Sequence, residues 1–225
     1  MKSQINELLN EKDNSEKIRD TIAAILLCEI QNQKELAIAN NIEDKDDFNI
    51  HVFLENLRPW ELVKDEKENN PFPLVTVNMG LIQESEKPGS TINNFKYDGQ
   101  YYIDCYGCGN AIPENMDEGY IPDDYLAALR AWKTARVVRN ILMSGIYTYL
   151  GIREIVSRRR IISMASIVPP NVSESAITVM AVRIIFEVNF SEKSPQAQPT
   201  TLEAVSFTTN DLNGELVSID NVLKD

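Results

Sequence analysis

Residues 180–190 read MAVRIIFEVNF, and this stretch decides the fold. Apolar side chains alternate with mixed ones along its whole length, which is the period of a β-strand that buries one face. Such a face needs a second layer of structure to cover it. The predicted inward-facing residues are Met180, Val182, Ile184, Phe186, Val188 and Phe190, and the residues between them include Arg183 and Glu187.

Two long helices are predicted to form the covering layer. The first extends from about Glu16 to Ala39, with Ser15 as its N-cap. The second follows Pro122 and the acidic pair after it, both of which favour a helix start, and continues to about Leu150. The apolar stripe of the second helix is predicted to be Ala128, Trp132, Ala135, Leu142, Ile146 and Tyr149.

Four further segments have strand character because they combine β-favouring residues with flanking turn signals. The sequence therefore predicts an α+β fold, a mixed or antiparallel β-sheet packed on one face by two long helices, with an extended C-terminal segment. The four segments are Ile50–Leu57, Leu74–Met79, Gln100–Cys108 and Ile152–Ala165, and the stretch from Gln83 to Gly99 is predicted to be a loop or loose hairpin.

The domain is predicted to span residues 1–192, with a linker and C-terminal extension over residues 193–225. Prolines, glutamines and serines after Ser191 are typical of a linker. Beyond them, Asn213-Gly214 separates two short strand-like pieces, Ala204–Phe207 and Glu215–Ile219, which predicts a β-hairpin arm. A hairpin alone is marginally stable, so we expect it to lie on another part of the protein or on a neighbouring subunit.

The charge of the 225-residue chain is acidic and unevenly distributed. A formal net charge of −12 argues against a general nucleic-acid binder, since Lys and Arg hold the phosphate backbone. Residues 1–70 contain 9 basic and 16 acidic side chains, whereas residues 125–165 contain 8 basic side chains and one acidic residue, Glu154. This uneven charge favours self-association in which a basic surface of one copy contacts an acidic surface of another.

The cysteine count and the N-terminal sequence indicate the compartment. Three cysteines, an odd number, favour a reduced intracellular protein over a disulfide framework. The N-terminal residues lack an apolar signal region, and the longest apolar run, Ile22–Cys28, is too short to cross a bilayer. The sequence predicts a soluble protein made and used in a cytoplasm, without a membrane partner.

Two features have a chemical interpretation beside a structural one. Cys105 and Cys108 form a C-x-x-C pair, which in other settings holds half of a zinc site or forms a redox pair. No second pair of ligands at suitable spacing accompanies them, so packing thiols are the favoured interpretation. The only histidine, His51, lies in an alternating apolar context that favours a structural role. We predict no catalytic, cofactor-binding or metal-binding residue.

The run Arg158-Arg159-Arg160 is the most basic segment of the chain. Successive strand residues point to opposite faces, so only Arg158 and Arg160 share one. Contact with phosphates is one interpretation, and a solvated face or salt bridges to an acidic neighbouring subunit is the favoured one. With Arg183 and Glu187 from the later strand, Arg158 and Arg160 are the predicted subunit interface.

The order of these elements resembles the tail terminator or tail completion proteins of tailed bacteriophages. The pieces that carry the resemblance are NPFPLVTVNMG, GQYYIDCYGCG, DDYLAALRAWKTARVVRNILMS and AVRIIFEVNFSE, within residues 15–192. The resemblance implies a non-enzymatic virion protein, assembled in the host cytoplasm, whose homo-hexameric ring caps the tail tube. Such a ring stops tube polymerisation and provides the surface that joins head to tail.

The implied partners are further copies of the chain, the tail tube protein, and other neck, connector or sheath proteins. DNA would pass through the ring without specific binding, which suits the acidic charge. Three alternatives remain open: another neck protein (head closure or sheath-contacting connector), a host-side interaction module, and a thiol- or metal-dependent enzyme that uses Cys105, Cys108 and His51.

Overall fold

The computed structural model describes residues 10–42, 48–59, 73–85, 94–109, 123–169, 178–193, 207–210 and 216–219. Its helices are α1 (Asn14–Ala39) and α2 (Asp123–Met143), and a short 3₁₀ helix follows at Gly145–Tyr147. Its strands are β1 (His51–Leu54), β2 (Leu74–Glu84), β3 (Asn94–Gly109), β4 (Val156–Ile167), β5 (Thr178–Lys193), β6 (Phe207–Asn210) and β7 (Leu216–Ile219).

The first five strands form one mixed sheet in the order β1-β2-β3-β5-β4. Strand β1 is parallel to β2, and the remaining neighbours are antiparallel. Strands β6 and β7 pair with each other in a separate two-stranded sheet. The predicted fold class, an α+β fold with two long helices on a mixed sheet, is therefore confirmed.

Both helices cover the same face of the five-stranded sheet. The alternating residues of β5 that were predicted to point inward lie in this core, apart from the half-buried Met180. The Tyr101 hydroxyl donates a hydrogen bond of 3.0 Å to the Ser15 carbonyl oxygen and thereby links β3 to the start of α1. The core includes Ile18, Ile22, Leu26, Val75, Val77, Tyr101, Ile103, Val138, Leu142, Val182, Ile184, Phe186, Val188 and Phe190.

The predicted stripe of α2 was right at Ala135 and Leu142, which are buried, and wrong at its other positions. Trp132, Ile146 and Tyr149 are exposed, and Ala128 is only half-buried. The other buried residues of α2 are Ala127, Ala131, Thr134, Val138 and Ile141. Small side chains face the sheet because α2 packs directly on Gly107, where a Cβ atom would lie 2.5 Å from the Ala127 carbonyl oxygen and 2.5 Å from the Ala131 nitrogen.

Helix ends also differ from the sequence prediction. The N-cap of α1 is Asp13, whose carboxylate accepts a hydrogen bond from the Glu16 amide, and not Ser15. Asn40 ends α1 as predicted. Helix α2 stops at Met143, well short of Leu150, and the chain then turns through the 3₁₀ helix to Gly151, whose φ is +74°.

The strands are longer than predicted around the β2–β3 hairpin. Strand β2 continues past Gly80 because a bulge between Met79 and Ile82 preserves its pairing with β3. A Cβ atom at Gly80 would lie 2.8 Å from the Tyr102 ring, so this glycine allows close packing and does not end the strand. Strand β3 begins at Asn94, inside the predicted loop, and β4 begins at Val156. Residues 86–93 of the predicted loop and residues 194–201 of the predicted linker lie outside the described residues.

Candidate assembly interface

All four predicted interface residues lie on the sheet face opposite the helices. The core residues of β5 are even-numbered, so Arg183 and Glu187 point away from them. Strand β4 pairs Arg160 with Glu187, and Arg158 lies across from Asn189. The structure therefore brings the four residues onto one surface, which we call the polar face.

Arg183 is held inside the subunit by Asp104, its cross-strand partner on β3. The guanidinium donates two hydrogen bonds of 2.8 Å to the two oxygens of the Asp104 carboxylate, whose side chain is 2% exposed. The same guanidinium lies 4.9 Å from the centroid of the Tyr102 ring. Hydrogen bonding to Asp104 raises the pKa of Arg183, so the guanidinium remains charged.

Arg160 and Glu187 form a second cross-strand pair, with 2.5 Å between Nε and Oε1. The Glu187 side chain is 9% exposed and that of Arg160 is 52% exposed, so the carboxylate is buried beneath a solvated guanidinium. Next to this pair, the Asn189 amide donates a hydrogen bond to Asp98. The charges at the centre of the polar face are thus balanced within one subunit.

Arg158 differs from these residues because it is exposed at the margin of the polar face. It lines a shallow cleft of about 530 Å³ where β3 and β4 begin and β5 ends. Lys96 and Arg153 also line the cleft, and Glu154 is the acidic residue among them. We call this site the basic cleft; its other lining residues include Ser85, Asn94, Tyr97, Tyr149, Val156, Ser157, Asn189, Phe190 and Ser191.

Arg159 lies between two predicted interface residues, but its side chain points to the helix-covered face and caps the end of α2. Its guanidinium donates to the carbonyl oxygens of Leu142, Ser144 and Tyr147, at 2.6 Å for the last two. Burial lowers the pKa of Arg159. Sequence reasoning missed this role, although two signals were present: strand alternation sets Arg159 apart from its neighbours, and the last turn of α2 has no basic residue of its own.

A second cleft of about 510 Å³ lies between α1 and α2. On one side, the Tyr147 hydroxyl donates a hydrogen bond to the Glu29 carboxylate, which raises the pKa of Tyr147 to about 12. Phe48, Val137 and Ile141 contribute apolar surface. This cleft has no strong charge of one sign, in contrast to the basic cleft.

The structure does not bring together Cys105, Cys108 and His51, the three residues of the enzymatic alternative. Cys105 and Cys108 are both buried, but they lie on opposite faces of β3, Cys105 in the helix-covered core and Cys108 on the other side. Their side chains diverge, so they do not form a disulfide or share a metal ion. His51 is exposed on β1, with β2 between it and β3. Burial raises the pKa of the Cys105 thiol well above its ordinary value, which disfavours the reactive thiolate.

Within the described ranges, no group of three or more His, Cys, Asp or Glu side chains is arranged to hold a metal ion. In the same part of the chain, neither α1 nor α2 combines the length and the apolar content that a membrane-spanning helix needs. The chain matches no protein-family model and no curated protein sequence.

Proposed function

We propose that this protein is a non-enzymatic structural subunit of a phage tail, in which copies of the chain form a six-membered ring that caps the tail tube. As a tail terminator, the ring stops tube polymerisation and offers the surface that joins head to tail. Its partners are other copies of the chain, the tube protein and adjacent neck or sheath proteins. DNA passes through without specific binding.

The observation that carries the proposal is the long edge of the sheet at β4, which pairs with β5 and with no other strand that the structure describes. This edge strand extends over twelve residues, whereas the opposite edge strand, β1, has four. An edge strand presents unpaired backbone groups on which another chain can add a strand. The basic cleft adjoins β4, so backbone pairing and charge attraction act at the same place.

Charge distribution adds support. The basic side chains of β4 and the cleft contrast with the acidic residues of α1 and its surroundings, which include Glu11, Glu29 and Glu35. When one surface patch of a subunit binds a different patch of the next, the contact generates a ring if the rotation per subunit closes. The N-terminal part of the chain, residues 1–70 with 16 acidic and 9 basic side chains, and the basic β4 edge fit such a contact between unlike surfaces.

The test is the oligomeric state of the full chain, alone and with tail tube protein. Analytical ultracentrifugation should find a species of six times the chain mass of 25.5 kDa, and electron microscopy should show rings on tube ends. Tube polymerisation in the presence of the protein should stop at shorter lengths. A chain that remains monomeric at high concentration and leaves tube growth unchanged would contradict the proposal.

The other neck roles make a different prediction in the same assay. A head-closure protein would form rings that bind connector proteins without stopping tube growth. A sheath-contacting connector would bind tubes only when sheath protein is present. These outcomes retain a ring-forming structural protein but reject the terminator role.

Thiol labelling addresses the enzymatic alternative. Cys28 is exposed, whereas Cys105 and Cys108 are buried, so one thiol of the three should react quickly in the native protein and the other two only on unfolding. Added chelator should not change this pattern. Release of a buried thiol by the chelator, together with bound zinc by elemental analysis, would contradict a purely structural role.

A further inference from the structure

The C-terminal arm, residues 194–225, contains a hairpin that stands apart from the five-stranded sheet. Strands β6 and β7 pair only with each other in the described strand order, over four residues each. A two-stranded hairpin in water is marginally stable and gains stability when it packs on another surface or extends a larger sheet. The arm therefore needs a docking surface.

The charge of the arm complements that of the basic cleft. Its sequence contains one basic residue, Lys224, and five acidic residues: Glu203, Asp211, Glu215, Asp220 and Asp225. Among the described residues that line the cleft, Lys96, Arg153 and Arg158 are basic and Glu154 is acidic. Charge complementarity of this kind steers association and disfavours wrong registers.

The adjoining edge of β4 has a regular segment of suitable length. Bulges in its pairing with β5 lie between Val156 and Arg158 and between Ile161 and Ser163. Bulges restrict edge pairing to the regular segments between them. The four residues from Arg158 to Ile161 form one such segment, and β6 and β7 are each four residues long.

The linker sequence favours docking of the arm on a neighbouring subunit over docking on its own subunit. Strand β5 ends at Lys193, opposite Asn94, which itself lines the basic cleft, so the arm leaves the domain beside the cleft. The segment 194–206 contains Pro195 and Pro199 and no glycine, a composition that favours extension over a tight reversal. A fully extended segment of this length reaches up to roughly 45 Å, which is long enough to span to a neighbouring copy.

From these observations we propose that the acidic C-terminal arm of one copy docks on the basic cleft and the β4 edge of the next copy, and that this contact links the ring. The inference rests on the proposed function, because it requires that copies of the chain assemble. It deepens that function by naming the partner segment at the interface.

Chemical cross-linking of the full chain identifies the docked segment directly. Isotope-labelled and unlabelled protein are mixed, allowed to exchange subunits, and treated with a carbodiimide that joins a lysine amine to a neighbouring carboxylate. We expect cross-links from Lys96 to acidic residues of the arm, with labelled peptides joined to unlabelled ones at the statistical frequency. Cross-links that join only peptides of the same label would overturn the proposal, because the arm would then dock on its own subunit.

Full-length variants measure the contribution of the charges. Arg158→Glu should weaken self-association by roughly five- to tenfold. Neutralising the arm in Glu203→Gln, Asp211→Asn, Glu215→Gln and Asp220→Asn should weaken it by a similar factor. The combined variant should be no weaker than either alone, since both changes remove the same contact. The matched control is Arg136→Glu, an exposed charge reversal on α2 that should leave association unchanged.

The outcomes separate this inference from the proposed function. If the full chain forms rings whose stability is insensitive to the arm substitutions, the arm is not the linking segment and the inference fails alone. If Arg158→Glu weakens the ring and the arm substitutions do not, the acidic partner lies elsewhere on the neighbour, and the inference again fails. A chain that never assembles overturns both.

Discussion

The two faces of the five-stranded sheet are buried by different chemistry. On the helix-covered face, Val182, Ile184 and Phe186 pack against α1 and α2 with essentially no exposure. On the polar face, the same strand presents Arg183 and Glu187, each bonded to a charged partner on a neighbouring strand. The helix-covered face is stabilised by removal of apolar area from water, which needs no specific partner. The polar face combines these charged pairs with a smaller buried apolar cluster that contains Leu74, Tyr106, Val179 and Ala181.

This difference separates residues that stabilise the subunit from those available to other molecules. Within the chain, Arg183 pairs with Asp104, and Arg160 pairs with Glu187. Arg158, in contrast, lies in an open cleft at the margin of the polar face. Of the four predicted interface residues, Arg158 is therefore the one whose charge is most accessible to another molecule. Substitutions on the two faces should therefore differ in how much they change stability and in whether they change folding or self-association.

The largest effect is expected from Phe186→Asp on the helix-covered face. It places an unpaired carboxylate in the core and should lower the free energy of unfolding by more than about 4 kcal/mol, enough to prevent folding. Denaturant unfolding monitored by circular dichroism measures the change. The matched control is Ser163→Asp, an exposed position on β4, where stability should be nearly unchanged. A soluble, cooperatively folded Phe186→Asp protein would show that the core face is misassigned.

Gly107→Ala should have the next largest effect. The added methyl group would meet backbone atoms of α2 at 2.5 Å, so the helix must move away from the sheet. Overpacking of this kind should cost about 3 kcal/mol, measured by thermal and denaturant unfolding. Gly145→Ala provides the control, because no atom lies within 4 Å of a Cβ at that position. Equal stability of the two variants would contradict the close contact between α2 and β3.

On the polar face, Arg183→Met should cost about 2 kcal/mol because it leaves the buried Asp104 carboxylate without its partner. This value is below that for a fully buried pair, since the Arg183 side chain is 35% exposed and partly solvated. The double variant Asp104→Leu with Arg183→Met should recover most of the loss, because it replaces the pair by apolar groups. A double variant less stable than Arg183→Met would indicate that Asp104 has another essential role.

The smallest effects on folding are expected at Arg158 and Arg160, which lie on the same face of β4. Arg160→Glu brings a second carboxylate against the buried Glu187 and should lower the midpoint of thermal unfolding. Arg158→Glu should leave that midpoint unchanged and should act on self-association alone, measured by light scattering. If both substitutions weaken assembly equally without affecting the midpoint, the Arg160–Glu187 pair contributes nothing within the subunit, and the distinction drawn here is wrong.

Features with a regular period were predictable from the sequence. The alternation along β5 identified its buried face. The same alternation placed Arg158 and Arg160 on one face. These predictions succeeded because local geometry alone determines which side chains share a face.

Features that depend on distant contacts were not predictable. The stripe of α2 was misplaced because Trp132 was expected in the core, whereas close packing on Gly107 selects alanines and leaves the indole at the side, where it donates to Ser166. The pairing of Arg183 with Asp104 and of Arg160 with Glu187 depends on strand register between segments far apart in sequence. Single-sequence patterns do not specify that register.

The guanidinium of Arg159 has a mechanical consequence. It joins the edge strand β4 to three carbonyl oxygens at the end of α2 and in the turn that follows. A force that separates β4 from β5 must therefore also break the hydrogen bonds that hold this strand to the helix layer.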